Sequence, residues 1–140
     1  YRAGFATSQS AYEQAFDDVF AELEHLEAHL SKHRYLAGEY LTEADIRLFT
    51  TLIRFDAVYH GHFKCNEQRI TDYSNLSNWL RELYQWPGVA STVDFTHIKS
   101  HYYASHRTLN PTGIIPQGPA LHLAVAHDRS RLKGQGIFTK

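Results

Sequence analysis

The apolar residues in the first part of the chain recur with the spacing of a helix. They step by three or four positions with acidic residues between them: Tyr12, Phe16, Val19, Leu23, Leu26 and Leu30. This spacing puts them on one face and predicts an amphipathic helix of about 25 residues. Thr7, Ser8 or Ser10 can cap its N-terminus. The positive charges of Lys32 and His33 suit its C-terminal end.

A second helix is predicted to begin with a capping box. Thr42 and Asp45 have the required spacing, with Asp45 in place of the usual Glu or Gln. The residues that follow are apolar in nearly every direction around the helix, which predicts that most of its sides are buried. Arg47, Arg54 and Asp56 interrupt this apolar run. Buried charges need partners, so internal ion pairs are expected here, in preference to a ligand-binding role.

Two more helices and a tail complete the pattern. The capping sequence at 72–75 opens a short helix, and the Trp-Pro-Gly sequence at 86–88 stops it. Another helical stretch is predicted over about 89–105. Beyond it, Pro and Gly residues recur and no alternation typical of a strand is found. The predicted fold class is therefore all-α: a helix bundle at 1–106 followed by an irregular tail at 107–140.

Composition narrows the classes of partner and compartment. The chain has 140 residues, enough for one domain, and its 14 Lys and Arg nearly balance 15 Asp and Glu. Neither a nucleic-acid nor a membrane partner is predicted, because no basic patch and no long apolar run is present. A single cysteine, Cys65, excludes an intrachain disulfide, and a cytoplasmic protein is expected. Because the chain begins at Tyr1 without Met, it is expected to be a fragment.

Histidine clusters and the cysteine are the first candidates for chemistry. The clusters combine three residues each: His60, His62 and Cys65, and His97, His101 and His106. A zinc site needs about four convergent ligands, and neither cluster follows a known metal motif, so no metal ligand is predicted and surface histidines are favoured. Cys65 lies near Lys64, but a reactive thiolate needs an open electropositive setting. The inert interpretation of Cys65 is favoured.

Tyrosines are the second candidates. Tyr102 and Tyr103 lie late in the last predicted helix, and Tyr1 and Tyr59 stand at the ends of other segments. A phenol can stack on an aromatic ligand, donate a hydrogen bond to its oxygen, or stabilise a developing oxyanion. Periodicity alone favours ordinary residues at the edge of the core over these roles.

Seven segments carry a resemblance to a known family. They are Tyr-Arg-Ala-Gly-Phe-Ala-Thr-Ser-Gln at 1–9, Arg-Tyr-Leu-Ala-Gly at 34–38, Leu-Thr-Glu-Ala-Asp-Ile-Arg-Leu-Phe at 41–49, Arg-Phe-Asp at 54–56, His-Phe-Lys-Cys-Asn at 62–66, Pro-Gly-Val-Ala at 87–90 and His-Ile-Lys-Ser-His-Tyr-Tyr at 97–103. Their order resembles the glutathionyl-hydroquinone reductases, the Xi-class glutathione transferases. The helix start at 42–45 is shared by glutathione transferases generally, whereas the Phe-Lys-Cys-Asn and His-Tyr-Tyr segments resemble this class alone. The resemblance extends over positions 1 to about 119 and implies the helical C-terminal domain of such a protein.

The resemblance implies a two-domain enzyme that uses glutathione as co-substrate to reduce glutathionyl-hydroquinones. In that family a cysteine takes the glutathionyl group from the aromatic ring, and a second glutathione releases it as glutathione disulfide. This cysteine belongs to an N-terminal thioredoxin-like domain, which is expected to lie outside this chain. No catalytic residue is therefore expected in this chain, which is predicted to be inactive alone, and Cys65 matches a cysteine of the helical domain that is not catalytic.

The resemblance also implies a binding site and an assembly. Tyr1 and Tyr102 match tyrosines that line the hydroquinone pocket of the family, and Tyr103 is included as a third, although Phe takes this place in some relatives. A homodimer formed through the helical domain is implied as well. The alternative hypothesis is a transferase-like helical domain that serves as a binding or assembly module. A thioredoxin-like domain with a cysteine, encoded upstream of Tyr1, would favour the enzyme.

Overall fold

The computed structural model describes residues 1–136, and the helices there account for the fold. They are Gln9–Leu30 (α1), Glu43–Leu52 (α2), His60–His62 (α3), Ser74–Tyr84 (α4) and Phe95–Ser105 (α5). A π-helical turn at Phe55–Tyr59 joins α2 to α3, and short 3-10 turns occur at Ile70–Asp72, Ala90–Thr92 and Arg129–Arg131. The described part contains isolated bridges but no β-strand. The predicted all-α fold class is confirmed.

Helix α1 begins and packs as its sequence pattern indicates. The hydroxyl of Ser8 accepts a hydrogen bond from the backbone N–H of Ala11 at 3.3 Å and so caps the helix. The helix ends at Leu30, slightly before the predicted end. Its inward face packs against α4, and it also caps that helix: the carboxylate of Glu27 accepts the backbone N–H of Leu76 at 2.7 Å. One acidic side chain of α1 thus fixes where α4 starts.

Asp45, predicted to cap α2, also links three parts of the core. Its fully buried carboxylate accepts hydrogen bonds from the N–H of Thr42 at 3.0 Å and the N–H of Leu36 at 3.0 Å. It also accepts the indole N–H of Trp79 at 3.1 Å. A buried carboxylate is tolerated only when such donors satisfy it. Asp45 therefore joins the start of α2 to the loop after α1 and to α4.

The predicted internal ion pairs of α2 and the following turn are not formed. Arg47 pairs instead with Glu43 at 2.7 Å on the exposed side of the helix, where both side chains are more than three quarters exposed. Asp56 accepts the backbone N–H of Ile70 at 2.6 Å and that of Thr71 at 3.1 Å. Backbone donors of a neighbouring turn can satisfy a buried carboxylate as well as a cation can. The spacing of residues along one helix could not reveal these backbone donors, because they belong to a different segment of the chain.

The stop after α4 is confirmed, whereas the start of α5 differs from the prediction. Gly88 adopts φ +86°, a conformation that favours glycine, just beyond the end of α4. Helix α5 then begins at Phe95 and not near residue 89, because the carboxylate of Asp94 accepts the backbone N–H of His97 at 2.9 Å. A cap of this kind sets the first turn of a helix. The apolar period alone predicted that this helix starts about six residues too early.

The segment 107–136 has little regular structure, and its later part is attached to the bundle by a buried arginine. Arg129 is fully buried and donates to the carbonyl oxygens of Leu30 at 2.7 Å, His33 at 2.6 Å and Arg34 at 2.8 Å. These carbonyls lie at and just beyond the C-terminus of α1, where no intrahelical donor remains. The boundary at 106 between the bundle and the tail stays a prediction. The last four residues of the predicted tail, 137–140, lie outside the described part of the chain. Within residues 1–136, no helix is both long and apolar enough to cross a membrane.

Candidate functional site

Three tyrosines from separate elements bring their hydroxyl groups together. Tyr1 precedes α1, Tyr59 ends the π-helical turn, and Tyr102 lies in α5. The hydroxyl of Tyr1 donates to that of Tyr102 at 3.0 Å, and the hydroxyls of Tyr59 and Tyr102 are 3.1 Å apart. Tyr102 is therefore the centre of a short chain of hydrogen bonds. We call these three residues the tyrosine cluster.

The local backbone explains how Tyr59 reaches the cluster. The N–H of Tyr59 bonds to the carbonyl of Arg54, five residues earlier, at 3.4 Å, and this wide turn is the π-helical one. A π-helical turn redirects the side chains after it relative to a continuous α-helix, and such turns are frequent at functional sites. The carbonyl of Tyr59 then accepts the N–H of Cys65 at 3.1 Å, which fixes the chain beyond the short α3.

The cluster has one proton to offer to a ligand. Three hydroxyl groups carry three protons, and the two hydrogen bonds among Tyr1, Tyr59 and Tyr102 use two of them. The third proton is free to bond to an oxygen of a bound molecule. A hydroxyl can also rotate away from its partner in the cluster. It then gives up that hydrogen bond and donates its proton to a ligand oxygen that gains negative charge.

The electrostatics keep the three phenols protonated. Burial raises the pKa of Tyr59 and of Tyr102. Burial, and then the hydrogen bond to Tyr102, raises the pKa of Tyr1 to about 12, although 61% of its surface is exposed. The positive charge of Arg54 acts in the opposite direction on all three. The cluster is therefore a set of neutral donors near a cation, which suits an oxygen that carries or develops negative charge.

An apolar groove lies beside the cluster. Phe63 is fully buried, and its ring centroid is 4.9 Å from that of Tyr1 and 5.3 Å from that of Tyr59, which it stacks at 9°. The groove has a volume of about 510 Å³ and is lined by these three rings, the ring of Phe55 and aliphatic side chains of α1 and α2, with the charged residues Arg2, Asp18 and Glu22 also on its wall. Its size and its mostly apolar lining are typical of a site for a small aromatic ligand. Tyr102 is behind this lining in the described structure and contacts it through its bonds to Tyr1 and Tyr59.

The predicted site residues are only partly brought together. Tyr1 and Tyr102 share a hydrogen bond, but Tyr103 packs its ring on His62, with centroids 4.6 Å apart. Tyr59 was missing from the predicted site, although its phenol completes the cluster. The sequence placed it at the end of a segment, and only the π-helical turn, which apolar spacing does not reveal, directs it to Tyr102. A role of Tyr103 in binding stays a prediction.

The other candidates from the sequence have different surroundings. Among residues 1–136, no group of three or more His, Cys, Asp or Glu side chains is arranged to share a metal ion. His62 and His106, from the two histidine clusters, instead approach each other at 3.1 Å between Nε2 and Nδ1. Cys65 is buried, and burial raises the pKa of its thiol. Both properties disfavour a reactive thiolate.

Comparison with known proteins identifies the class. Residues 9–82 match the family model of the glutathione S-transferase C-terminal domain, and the chain belongs to this family. It is 59% identical over 129 residues to the glutathionyl-hydroquinone reductase YqjG of Escherichia coli and 58% identical over 120 residues to PcpF of Sphingobium chlorophenolicum. These matches include 92% and 86% of this chain but only 39% and 38% of the two relatives. The chain thus spans about two fifths of the length of the curated relatives it matches.

Solved structures place the fold in the same class. The glutathione-bound structure of YqjG superposes with a TM-score of 0.91 at 58% identity, over 93% of this chain and 42% of that one. A Xi-class glutathione transferase from Natrialba magadii superposes with a TM-score of 0.94 at 50% identity, over 96% of this chain and 42% of that one. The resemblance to the glutathionyl-hydroquinone reductases of the Xi class is confirmed.

Proposed function

We propose that this chain is the hydroquinone-binding C-terminal domain of a glutathione-dependent reductase of glutathionyl-hydroquinones. The observation that carries the proposal is the tyrosine cluster at the edge of an apolar groove, where Tyr1 and Tyr59, with Tyr102 hydrogen-bonded behind them, provide donors for a phenolic oxygen. Two relatives that are more than half identical to the chain are named glutathionyl-hydroquinone reductases, which supports the same assignment. The substrates are glutathione and aromatic hydroquinone conjugates.

The reaction divides between this domain and a thiol outside it. A cysteine thiolate attacks the sulfur of the glutathionyl group, the bond from that sulfur to the ring carbon breaks, and a mixed disulfide forms. The electron pair of the broken bond stays with the ring, which takes up a proton and leaves as the hydroquinone. A second glutathione reduces the mixed disulfide and leaves as glutathione disulfide. We assign the cysteine to a thioredoxin-like domain of a longer protein, and this chain alone is inactive.

The tyrosine cluster acts on the charge that this step creates. The ring carbon that bears sulfur is first protonated, which gives the keto tautomer, so the released electron pair forms an enolate and the negative charge develops on the ring oxygen. Neutral phenols can donate to that oxygen more strongly than to the uncharged substrate. The cation of Arg54 favours the same charge. Phe63 and the aliphatic lining of the groove bury the apolar part of the ring. The cluster therefore stabilises the transition state more than the bound substrate.

The proposal extends to assembly and compartment. The longer protein that contains this chain, called the parent below, forms a homodimer through this domain. Light scattering on the purified parent would test this expectation directly. A cytoplasmic location fits the one cysteine, whose buried thiol is free, because nothing in the chain then requires an oxidising compartment. A monomeric parent at micromolar concentration would refute the assembly and leave the binding site in place.

The experiment is an assay of glutathione-dependent reduction of a glutathionyl-hydroquinone. It compares the full-length parent, the parent with Tyr103→Phe, and this chain alone. The proposal predicts activity in the parent and none in the chain alone. A small effect of Tyr103→Phe would exclude a hydrogen bond from the Tyr103 hydroxyl that contributes to the reaction. A folded parent without reductase activity would refute the enzyme and favour the binding or assembly module.

A further inference from the structure

Two imidazole rings meet directly behind the tyrosine cluster. The Nε2 atom of His62, in the short α3, and the Nδ1 atom of His106, at the end of α5, are 3.1 Å apart. His62 is 6% exposed and packs on the ring of Tyr103. One N–H shared between two ring nitrogens joins α3, which directly follows Tyr59, to the end of α5, which carries Tyr102. We call these residues the histidine pair.

The ring of His106 contacts the cluster itself. Its centroid is 5.5 Å from that of Tyr102 with the planes perpendicular, and 6.5 Å from that of Tyr1. Phe5 and Phe63 pack on the same imidazole with centroids 5.0 Å and 6.1 Å away. The imidazole thus fills the space between two of the three phenols and the aromatic residues around them, and a shift of this ring would move both phenols.

The backbone of His106 is tied to Tyr102 as well. Its N–H donates to the carbonyl oxygen of Tyr102 at 3.2 Å, the last such bond at the end of α5. The final turn of a helix frays unless a cap or a side chain fixes it. The bond to the nearly buried His62 adds to the restraint from Asn110, whose side-chain amide donates to the carbonyl oxygen of Tyr103 at 2.7 Å.

The histidine pair keeps its hydrogen bond near neutral pH. Burial lowers the pKa of His62, and the neighbouring His106 and Lys64 lower it further. The other titratable groups that face the pair are Tyr102 and Tyr103 beside His62, and Tyr1, Tyr102 and His101 beside His106. Two neutral imidazoles, or one neutral and one protonated, can share an N–H, and only two protonated rings cannot.

We propose that the hydrogen bond between His62 and His106 is a positioning device that holds the hydroxyls of Tyr1 and Tyr102 in place for a phenolic oxygen of the ligand. The histidines act through the tyrosines and do not touch the substrate. The inference rests on the proposed function for the identity of the ligand, but the geometry it predicts can be measured without any catalysis.

The test uses the chain with tyrosine labelled with ¹³C at the ζ carbon, whose chemical shift reports the hydrogen bonds of each phenol. His106→Phe keeps an aromatic ring in the same packing but removes the nitrogen that faces His62. His106→Asn keeps a polar atom near the position of Nδ1. His25→Phe, at an exposed site on α1, is the matched control, and Tyr84 in α4 is a distant reporter.

The proposal predicts that His106→Phe shifts the signals of Tyr1 and Tyr102 and leaves that of Tyr84 unchanged. His106→Asn should return both signals toward their original positions, and His25→Phe should leave them in place. Unchanged signals of Tyr1 and Tyr102 in folded His106→Phe would overturn the proposal, even if that variant unfolds more easily. Activity results for the parent bear only on the proposed function, so the two can fail separately.

Discussion

Replacing Arg129 by Met tests whether the segment beyond α5 is an integral part of the fold. The guanidinium is fully buried and donates to three backbone carbonyls at and beyond the end of α1. Met matches the length of the aliphatic part of the side chain but cannot donate. The variant therefore leaves one buried and two partly buried carbonyl oxygens without these donors.

The size of the effect follows from these three bonds. A hydrogen bond that involves a charged group contributes about 1.5 to 3 kcal/mol. Three at the lower end come to about 4 to 5 kcal/mol, and the variant also regains the cost of burying the cation. That cost is real, because burial lowers the pKa of Arg129. We expect a net loss of about 3 kcal/mol, a large part of the usual stability of a domain.

Urea unfolding followed by circular dichroism measures this loss. The matched control is Arg47→Met, where an exposed arginine of α2 pairs with Glu43 at 2.7 Å. An exposed pair contributes less than about 1 kcal/mol, so the control should unfold close to the wild type. Equal free energies of unfolding for the two variants would show that the buried cation does not hold the segment, and the reasoning would be wrong.

Three further predictions concern the packing and the titration of the site. Glu27→Gln should lower the free energy of unfolding by about 1 to 2 kcal/mol, because its carboxylate caps α4. Gly4→Ala should lower it by about 1 to 3 kcal/mol, because the added methyl group would lie 2.1 Å from a ring carbon of Phe63. The pKa of Tyr1, about 12, should fall in Tyr102→Phe, because the hydrogen bond to Tyr102 contributes to its rise after burial. Protonated Tyr1 therefore stabilises the folded state. This contribution is complete below pH 10, the ordinary pKa of tyrosine, and declines as the pH rises toward 12.

Each of these predictions has an outcome that would contradict it. Glu22→Gln, on the exposed side of α1, should unfold like the wild type, and an equal loss there would refute a specific role of the cap. For Gly4→Ala, urea unfolding with no loss would mean that Phe63 can move aside. For Tyr1, a ¹³C titration that gives the same pKa with and without the Tyr102 hydroxyl would contradict the hydrogen-bonded cluster.

Features that depend on local sequence were predictable, and those that depend on contacts between distant segments were not. The apolar period of α1, the box formed by Thr42 and Asp45, and the stop at 86–88 were all visible, because each is set by neighbours within a few residues. Periodicity could not show that α5 starts at Phe95, directly after its cap Asp94, since a cap competes with an apolar pattern that continues past it.

The candidate site divides in the same way. The family resemblance indicated Tyr1 and Tyr102, whereas Tyr59 joined them only through the π-helical turn, a change in helical pitch that no spacing rule predicts. His62 and His106 were predicted to be surface histidines in separate clusters, but they bond to each other. That contact depends on how α3 packs beside the end of α5. The sequence does not single out Arg129 within the predicted tail, because its three carbonyl acceptors lie at and beyond the end of α1.

The most direct measurement of the central claim is kcat/KM for a glutathionyl-hydroquinone in the full-length parent with Tyr102→Phe. The Tyr102 hydroxyl bonds to both other members of the cluster, so its removal disrupts the whole set of donors. Loss of one donor to a developing oxyanion typically lowers the rate by about a hundredfold or more, and a fall of this size is predicted. Tyr84→Phe, outside the cluster, should retain the activity of the parent. Equal values for Tyr102→Phe and Tyr84→Phe would contradict the account.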